Sequence, residues 1–238
     1  MSRTGRAIAG VVFLGIAVVI ATGWWNPSTA SADDTINEPV RHVEIDNDSG
    51  GISIRAADVD ATTVHQEYRY HWGEPDTAFE VRDGILNLDD CGWQCDVSYE
   101  VVVPLDTTVD GKVDSGSVDL EGIAEADLKV NSGDVVLTDV DGPVQLDVDS
   151  GSVSGTGLVG SLDADVDSGN VELTFVEPPD VTADIDSGNI ELTVPDVPYR
   201  VTSNVDSGNE EIDVPTDPDS EHLMEFDVDS GNLVIRAG

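Results

Sequence analysis

The chain has 238 residues, with 49 acidic against 10 basic side chains and a formal net charge of −39. A surface of that sign repels nucleic acid and anionic lipid, which excludes polyanion binding as its work. Aromatic residues make up 5% but hydrophobic residues 39%, enough for a thin aliphatic core and too many for a disordered chain.

Residues 1–32 read as a targeting segment. Arg3 and Arg6 form a short basic stretch, Ala7–Gly23 is an uncharged apolar run, and Trp24-Trp25 stands where an interfacial aromatic belt would stand. Ala30-Ser31-Ala32 has the pattern of a cleavage site. Two readings are open. Either an uncleaved N-terminal hydrophobic helix spans the membrane through residues 7–25, or the chain is secreted after cleavage following Ala32. In both, residues 33–238 lie outside the cytoplasm. Residues 33–38 are small and polar and read as a linker.

Residues 39–104 are predicted to form an irregular β section that caps the repeats. Short alternating runs occur at Val43–Ile45, Ile52–Ile54, Thr63–Trp72, Phe79–Val81, Ile85–Leu88 and Val97–Val103. Asp83-Gly84 is a hairpin-type turn between two of them.

Residues 105–238 carry a repeat. Asp-Ser-Gly recurs at 48–50, 114–116, 149–151, 167–169, 186–188, 206–208 and 229–231, with Asn131-Ser132-Gly133 as a variant. The last seven serines are 17, 18, 18, 19, 20 and 23 residues apart. A period near 18 predicts an all-β solenoid with two short strands per coil, a sandwich of hairpins being the second choice. In Asp165–Leu173 the Val and Leu side chains point one way while Asp165, Asp167 and Glu172 point the other. Gly supplies the positive φ of a tight corner, and Asp and Ser are turn formers. One coil buries almost nothing, so stability must come from stacking equivalent strands about 4.8 Å apart. An unpaired strand edge invites association. The uncapped end at Leu233–Gly238 is therefore the expected place for self-association.

The apolar leader, the Val101-Val102-Val103-Pro104 strand and the repeated Ser-Gly-x-Val-x-Leu unit resemble the putative adhesin family, a prokaryotic β-strand-repeat domain of unknown function. The resemblance covers roughly residues 38–238. It implies a β-solenoid in an extracytoplasmic setting and supplies no catalytic motif. The regular Asp ahead of Ser-Gly is an elaboration of this chain.

Three constellations could carry chemistry. In-register stacking would align Asp114, Asp149, Asp167, Asp186, Asp206 and Asp229 in one column. A second column two residues earlier would hold Asp147, Asp165, Asp184 and Asp227, with Lys112, Lys129 and Asn204 at its other places. Carboxylates about 5 Å apart repel by about 1 kcal/mol in water and about 3 kcal/mol at an effective dielectric near 20. Molar salt would offset this, and the Asp-rich, Lys-poor composition resembles that of halophilic proteins. Calcium would offset it too, with Asp149, Asp167, Asp186, Asp206 and Asp229 as the candidate ligands. The glycine-rich nonapeptide of calcium-binding β-rolls is absent, so a specific calcium roll is not supported, and divalent binding stands as the alternative to turn-forming aspartates on a solvated, salt-adapted face.

Cys91 and Cys95 are expected to pair in an exported chain and to pin the small loop around Trp93. Redox or metal roles are the alternatives. Tyr68, Tyr70 and Trp72, with Trp93, gather much of the aromatic content; they are either core of the first section or a contact patch for a glycan or protein. No serine, histidine or carboxylate arrangement singles out a catalytic site, so an enzyme is not expected. The reading is an exported acidic surface module of structural or adhesive kind. Other surface proteins, glycans or further copies of the chain are its expected partners. An envelope sensor or a Ca2+-binding repeat module is the alternative.

Overall fold

The computed structural model describes residues 27–73 and 75–238. The apolar run 7–23, Trp24 and Trp25, and with them the predicted N-terminal helix, lie outside the described residues. Every named element is a strand: β1 (Ser28–Ile36), β2 (His42–Ala57), β3 (Thr62–Tyr70), β4 (Phe79–Arg82), β5 (Ile85–Asp89) and β6 (Cys95–Pro104) in the first section. The repeats give β7 (Thr108–Glu121), β8 (Glu125–Thr138), β9 (Val144–Leu158), β10 (Leu162–Phe175), β11 (Val181–Val194), β12 (Arg200–Asp213) and β13 (Leu223–Ala237).

Each repeat contributes one long bent strand rather than the two short strands expected. The reason lies at the Asp-Ser-Gly corner. In β10, Leu162, Ala164 and Val166 are buried before the corner and Val171, Leu173 and Phe175 after it. Val166 and Val171 are an odd number of residues apart, so the alternation slips one phase and both arms turn the same face inward. Backbone pairing nevertheless runs through the bend: Val166 pairs with Ile185, Ser168 with Ser187 and Gly169 with Gly188. The corner glycines make this register possible. Gly151 has φ +148°, and a Cβ there would lie 1.7 Å from the carbonyl oxygen of Gly133 below it. No side chain fits between the rungs at that point.

The bent strands stack in parallel in the order β2-β7-β8-β9-β10-β11-β13-β12. The stack thus begins at the first Asp-Ser-Gly, since Ser49 and Gly50 of β2 pair with Ser115 and Gly116. Its far end corrects the sequence reading. β13 lies between β11 and β12, so Leu233–Gly238 is interior and β12 forms the edge. Met224, Phe226, Val228, Leu233 and Ile235 of β13 are all buried. The matching positions of β12 are Val201, Ser203, Val205, Glu210 and Ile212. A strand bearing Ser and Glu in core positions can only close a stack, so the more apolar strand takes the inner place.

At the near end the two arms of β2 part company. Its first arm pairs with β5, from His42↔Ile85 to Asp46↔Asp89, and its second with β6, from Ile52↔Tyr99 to Ala57↔Pro104. β4 and β5 form the predicted hairpin, with Asp83 at φ +55° and Gly84 at +84°, the left-handed pair of a two-residue type I′ turn. β6 continues antiparallel to β3, and β3 antiparallel to β1. Residues 33–38, read as a linker, therefore enter the sheet as far as Ile36. At the split, buried Asn47 stands where the next rung has Val113, and its Nδ2 donates to the Val97 carbonyl at 3.3 Å. The amide N–H ties β2 to β6 across the divided corner, while Asn47 Oδ1 is buried without a hydrogen-bond partner among the described residues. One aliphatic core runs from Ile36 to Ile235.

Candidate functional site

The outward surface of the bend carries the side chains the sequence singled out. The second column is real and in register: Asp46, Lys112, Lys129, Asp147, Asp165, Asp184, Asp227 and Asn204 face their neighbours rung by rung. Both lysines of the chain stand in it. Lys112 Nζ reaches Asp114 Oδ1 at 2.6 Å and Lys129 Nζ reaches Asp147 Oδ2 at 2.5 Å. At the far end Asn204 Nδ2 donates to Asp227 Oδ1 at 2.9 Å. Among the described residues Asp165 and Asp184, in the middle, have no salt bridge or side-chain hydrogen bond of this kind. Their carboxyls are held above the ordinary carboxylate range, first by desolvation against the adjoining rungs and then by neighbouring carboxylates. For Asp165 these are Asp147, Asp167 and Asp186; for Asp184 they are Asp165, Asp227, Asp186 and Asp229.

In the first column Asp114 accepts from Asn131 Nδ2 at 2.8 Å as well as from Lys112. Beyond Asn131 the column continues through Asp149, Asp167, Asp186, Asp229 and Asp206, one per rung. Among the described residues none of these five is salt-bridged to Lys or Arg, and no group of three or more His, Cys, Asp or Glu side chains converges as a metal cage. The five proposed calcium ligands are thus strung along a line rather than gathered around a point.

Sequence reasoning missed a third column. Over the last four rungs the residue after Ser-Gly is Asn, and the four amides hydrogen-bond in a ladder. Asn189 Nδ2 donates to Asn170 Oδ1 at 2.7 Å, Asn232 Nδ2 to Asn189 Oδ1 at 2.6 Å, and Asn209 Nδ2 to Asn232 Oδ1 at 2.9 Å. The signal was present as Ser-Gly-Asn in these repeats against Ser-Gly-Gly, Ser-Gly-Ser or Ser-Gly-Asp earlier. A shallow groove runs along the ladder, flanked by Glu172, Glu191 and Glu211. Asn189 spends one N–H and one oxygen lone pair on its neighbours, Asn170 only a lone pair and Asn209 only a side-chain N–H, while the Asn232 oxygen accepts from Asn209 Nδ2 and, at 3.2 Å, from Asn209 N; every amide thus keeps at least one N–H free of the ladder.

The aromatic cluster divides. Tyr68 is core, and its hydroxyl donates to the buried Gln66 Oε1 at 2.5 Å, which also accepts from Ala78 N at 3.1 Å. Burial pushes the Tyr68 hydroxyl above its ordinary pKa. Tyr70 is half-buried, packed against the core. Trp72 and Trp93 are out in solvent, at 71% and 86% exposure. Cys91 and Cys95 form the expected disulfide, with Cα atoms 5.5 Å apart. Among the described residues the histidine contacts lie away from the corner serines: His42 Nδ1 meets Thr108 Oγ1 at 2.8 Å, His65 Nδ1 meets Asp33 Oδ1 at 2.7 Å, and His222 lies against Tyr199.

Residues 93–235 match the family described as Toastrack DUF4097. The chain matches no curated protein. Among solved structures, it is similar to a putative cell adhesion protein from Clostridium sporogenes, at 11% identity and TM-score 0.38 over 89% of this chain and 100% of that one. A putative adhesin from Parabacteroides merdae aligns at 11% identity and TM-score 0.41, over 89% and 96%. One from Parabacteroides distasonis aligns at 12% and 0.38, over 87% and 96%.

Proposed function

The chain belongs to the Toastrack DUF4097 family, and from that premise we propose that it is an exported, membrane-tethered acidic solenoid acting as a structural and adhesive binding module. The observation that carries the reading is the asparagine ladder. Asn170, Asn189, Asn232 and Asn209 present amide donors and acceptors in a straight row, with carboxylates on its flank. Sugar hydroxyls both donate and accept, so a glycan chain is the ligand class that such a row fits. The groove is shallow and each contact is weak, and affinity would come from engaging several rungs at once. Nothing in this reading requires a chemical step, and no catalytic activity is assigned to the chain.

Tethering rests on β1. Cleavage after Ala32 would remove Ser28–Ala32, whose strand partners are Gln66–Tyr70. An uncleaved anchor through residues 7–25 keeps that strand whole. The acidic columns suit the tethered module to a saline medium, where repulsion between rungs is screened.

Binding of the full-length chain in detergent to immobilised glycans tests the adhesive reading. Replacing Asn189 and Asn232 together by Ala removes the middle of the ladder and is expected to weaken retention about tenfold, at one to two lost hydrogen bonds. Retention that is unchanged after all four asparagines are replaced would refute the ladder as the contact surface.

A further inference from the structure

Among the described residues Trp72 and Trp93 are the most exposed of the large apolar side chains, and neither the ladder nor the core uses them. They are also held in place. Trp93 sits in the loop closed by Cys91–Cys95, where Cys95 N donates to Gly92 O at 3.2 Å and Gly92 N to Asp90 Oδ1 at 2.5 Å. Trp72 lies two residues beyond the end of β3, and the intervening His71 N donates to Gln94 O at 3.2 Å. A disulfide and a set of turn bonds thus fix the two loops side by side with both indoles in water. Such exposure is costly, and it calls for an apolar partner.

The position of the pair identifies that partner. Ser28 pairs with Tyr70, and Tyr70 pairs with Cys95. The first residue of β1 therefore leaves the sheet on the same end, and in the same row of three strands, as the loops bearing Trp72 and Trp93. Trp25 precedes Ser28 by three residues, which can span at most about 10 Å of extended chain. In the tethered reading the anchor therefore ends within about 10 Å of Ser28, on the same end of the sheet as the two loops. Indoles are suited to the membrane surface, with an apolar body and one N–H for the headgroup level. Asp89 and Asp90 precede Cys91, and the chain carries net charge −39, so a zwitterionic headgroup fits where an anionic one would be repelled.

We propose that Trp72 and Trp93 form a membrane-seating foot, inserted at the headgroup level of the zwitterionic bilayer in which residues 7–25 anchor the chain. The proposal rests on the tethered reading above. It makes the disulfide loop a device that fixes how the solenoid stands on its membrane.

The test uses the full chain in phosphatidylcholine nanodiscs, with Trp24→Phe and Trp25→Phe so that emission reports only Trp72 and Trp93. Brominated phosphatidylcholine should quench that emission about twofold, as expected of indoles at the headgroup level, and aqueous acrylamide should quench it little. With Trp93→Phe added, lipid quenching should persist on the single remaining indole. A chain that co-elutes with the disc but is quenched by acrylamide and not by brominated lipid refutes the foot while leaving the anchor intact. A chain that does not co-elute overturns both. Emission that shifts only when a glycan or protein is added assigns the pair to that partner and likewise refutes the foot.

Discussion

At the scale of single residues, the stack tolerates its charges only where something answers them. Asp165 and Asp184 lie between the Lys129–Asp147 contact and the Asn204–Asp227 contact, and both bind protons more readily folded than unfolded. Their ordinary value is 3.8. Below it, their contribution to stability is fully present; it is lost as pH rises through the raised folded values. Asp184→Asn should therefore raise the thermal midpoint at pH 7 in low salt and flatten its decline above pH 4. In molar salt, where screening acts within about 3 Å, the gain should shrink towards nothing. His65 has the opposite chemistry but the same sign. Its bond to Asp33 raises its pKa above 6.5, so the grip of β3 on β1 is complete below 6.5 and weakens as pH rises through the raised value. Hydrogen exchange in β1, corrected for intrinsic rate, should quicken over that interval in the native chain and stay level in Asp33→Asn. The corner glycines answer to sterics instead. Gly151→Ala sets a Cβ 1.7 Å from the Gly133 oxygen at φ +148° and should cost about 2–4 kcal/mol by urea titration.

At the scale of elements, β12 shows how an open stack is closed. Ser203 Oγ donates to Glu210 Oε1, and the pair occupies places filled by Phe226 and Leu233 in β13. Charges in core positions of an edge strand are a known defence against further pairing. Ser203→Val with Glu210→Val should turn the edge apolar and shift the chain to higher oligomers in sedimentation velocity, with the native chain unchanged at equal concentration. Sequence reading reached the repeat, the corner and both acid columns, because Asp-Ser-Gly recurs at one period and stacking admits only one register. The Asp83-Gly84 hairpin was equally plain. The inversion of β12 and β13 was not, although the 23-residue step between Ser207 and Ser230 marks the longer connection that permits it. Nor was the entry of Ser28–Ile36 into the sheet, since its partners lie in β3 and its own side chains are small and polar. The fate of Tyr68 against Trp72 could not be read either. Alternation placed them on one face, but the strand ends at Tyr70 and Trp72 escapes it.

At the scale of the whole molecule, each rung touches only the rungs beside it, so electrostatic strain accumulates along the stack while packing does not. The thermal midpoint should climb steadily as salt is raised to molar concentration, with Asp165→Asn and Asp184→Asn together reducing the slope. The strand order has a temporal side as well. A parallel ladder synthesised from its N-terminus can add β7 to β11 one after another as each emerges. β12 emerges next and finds the place beside β11 reserved for a strand not yet delivered. Its place is completed only when β13 enters between them, so the fifteen residues Leu223–Ala237 complete two rungs and not one.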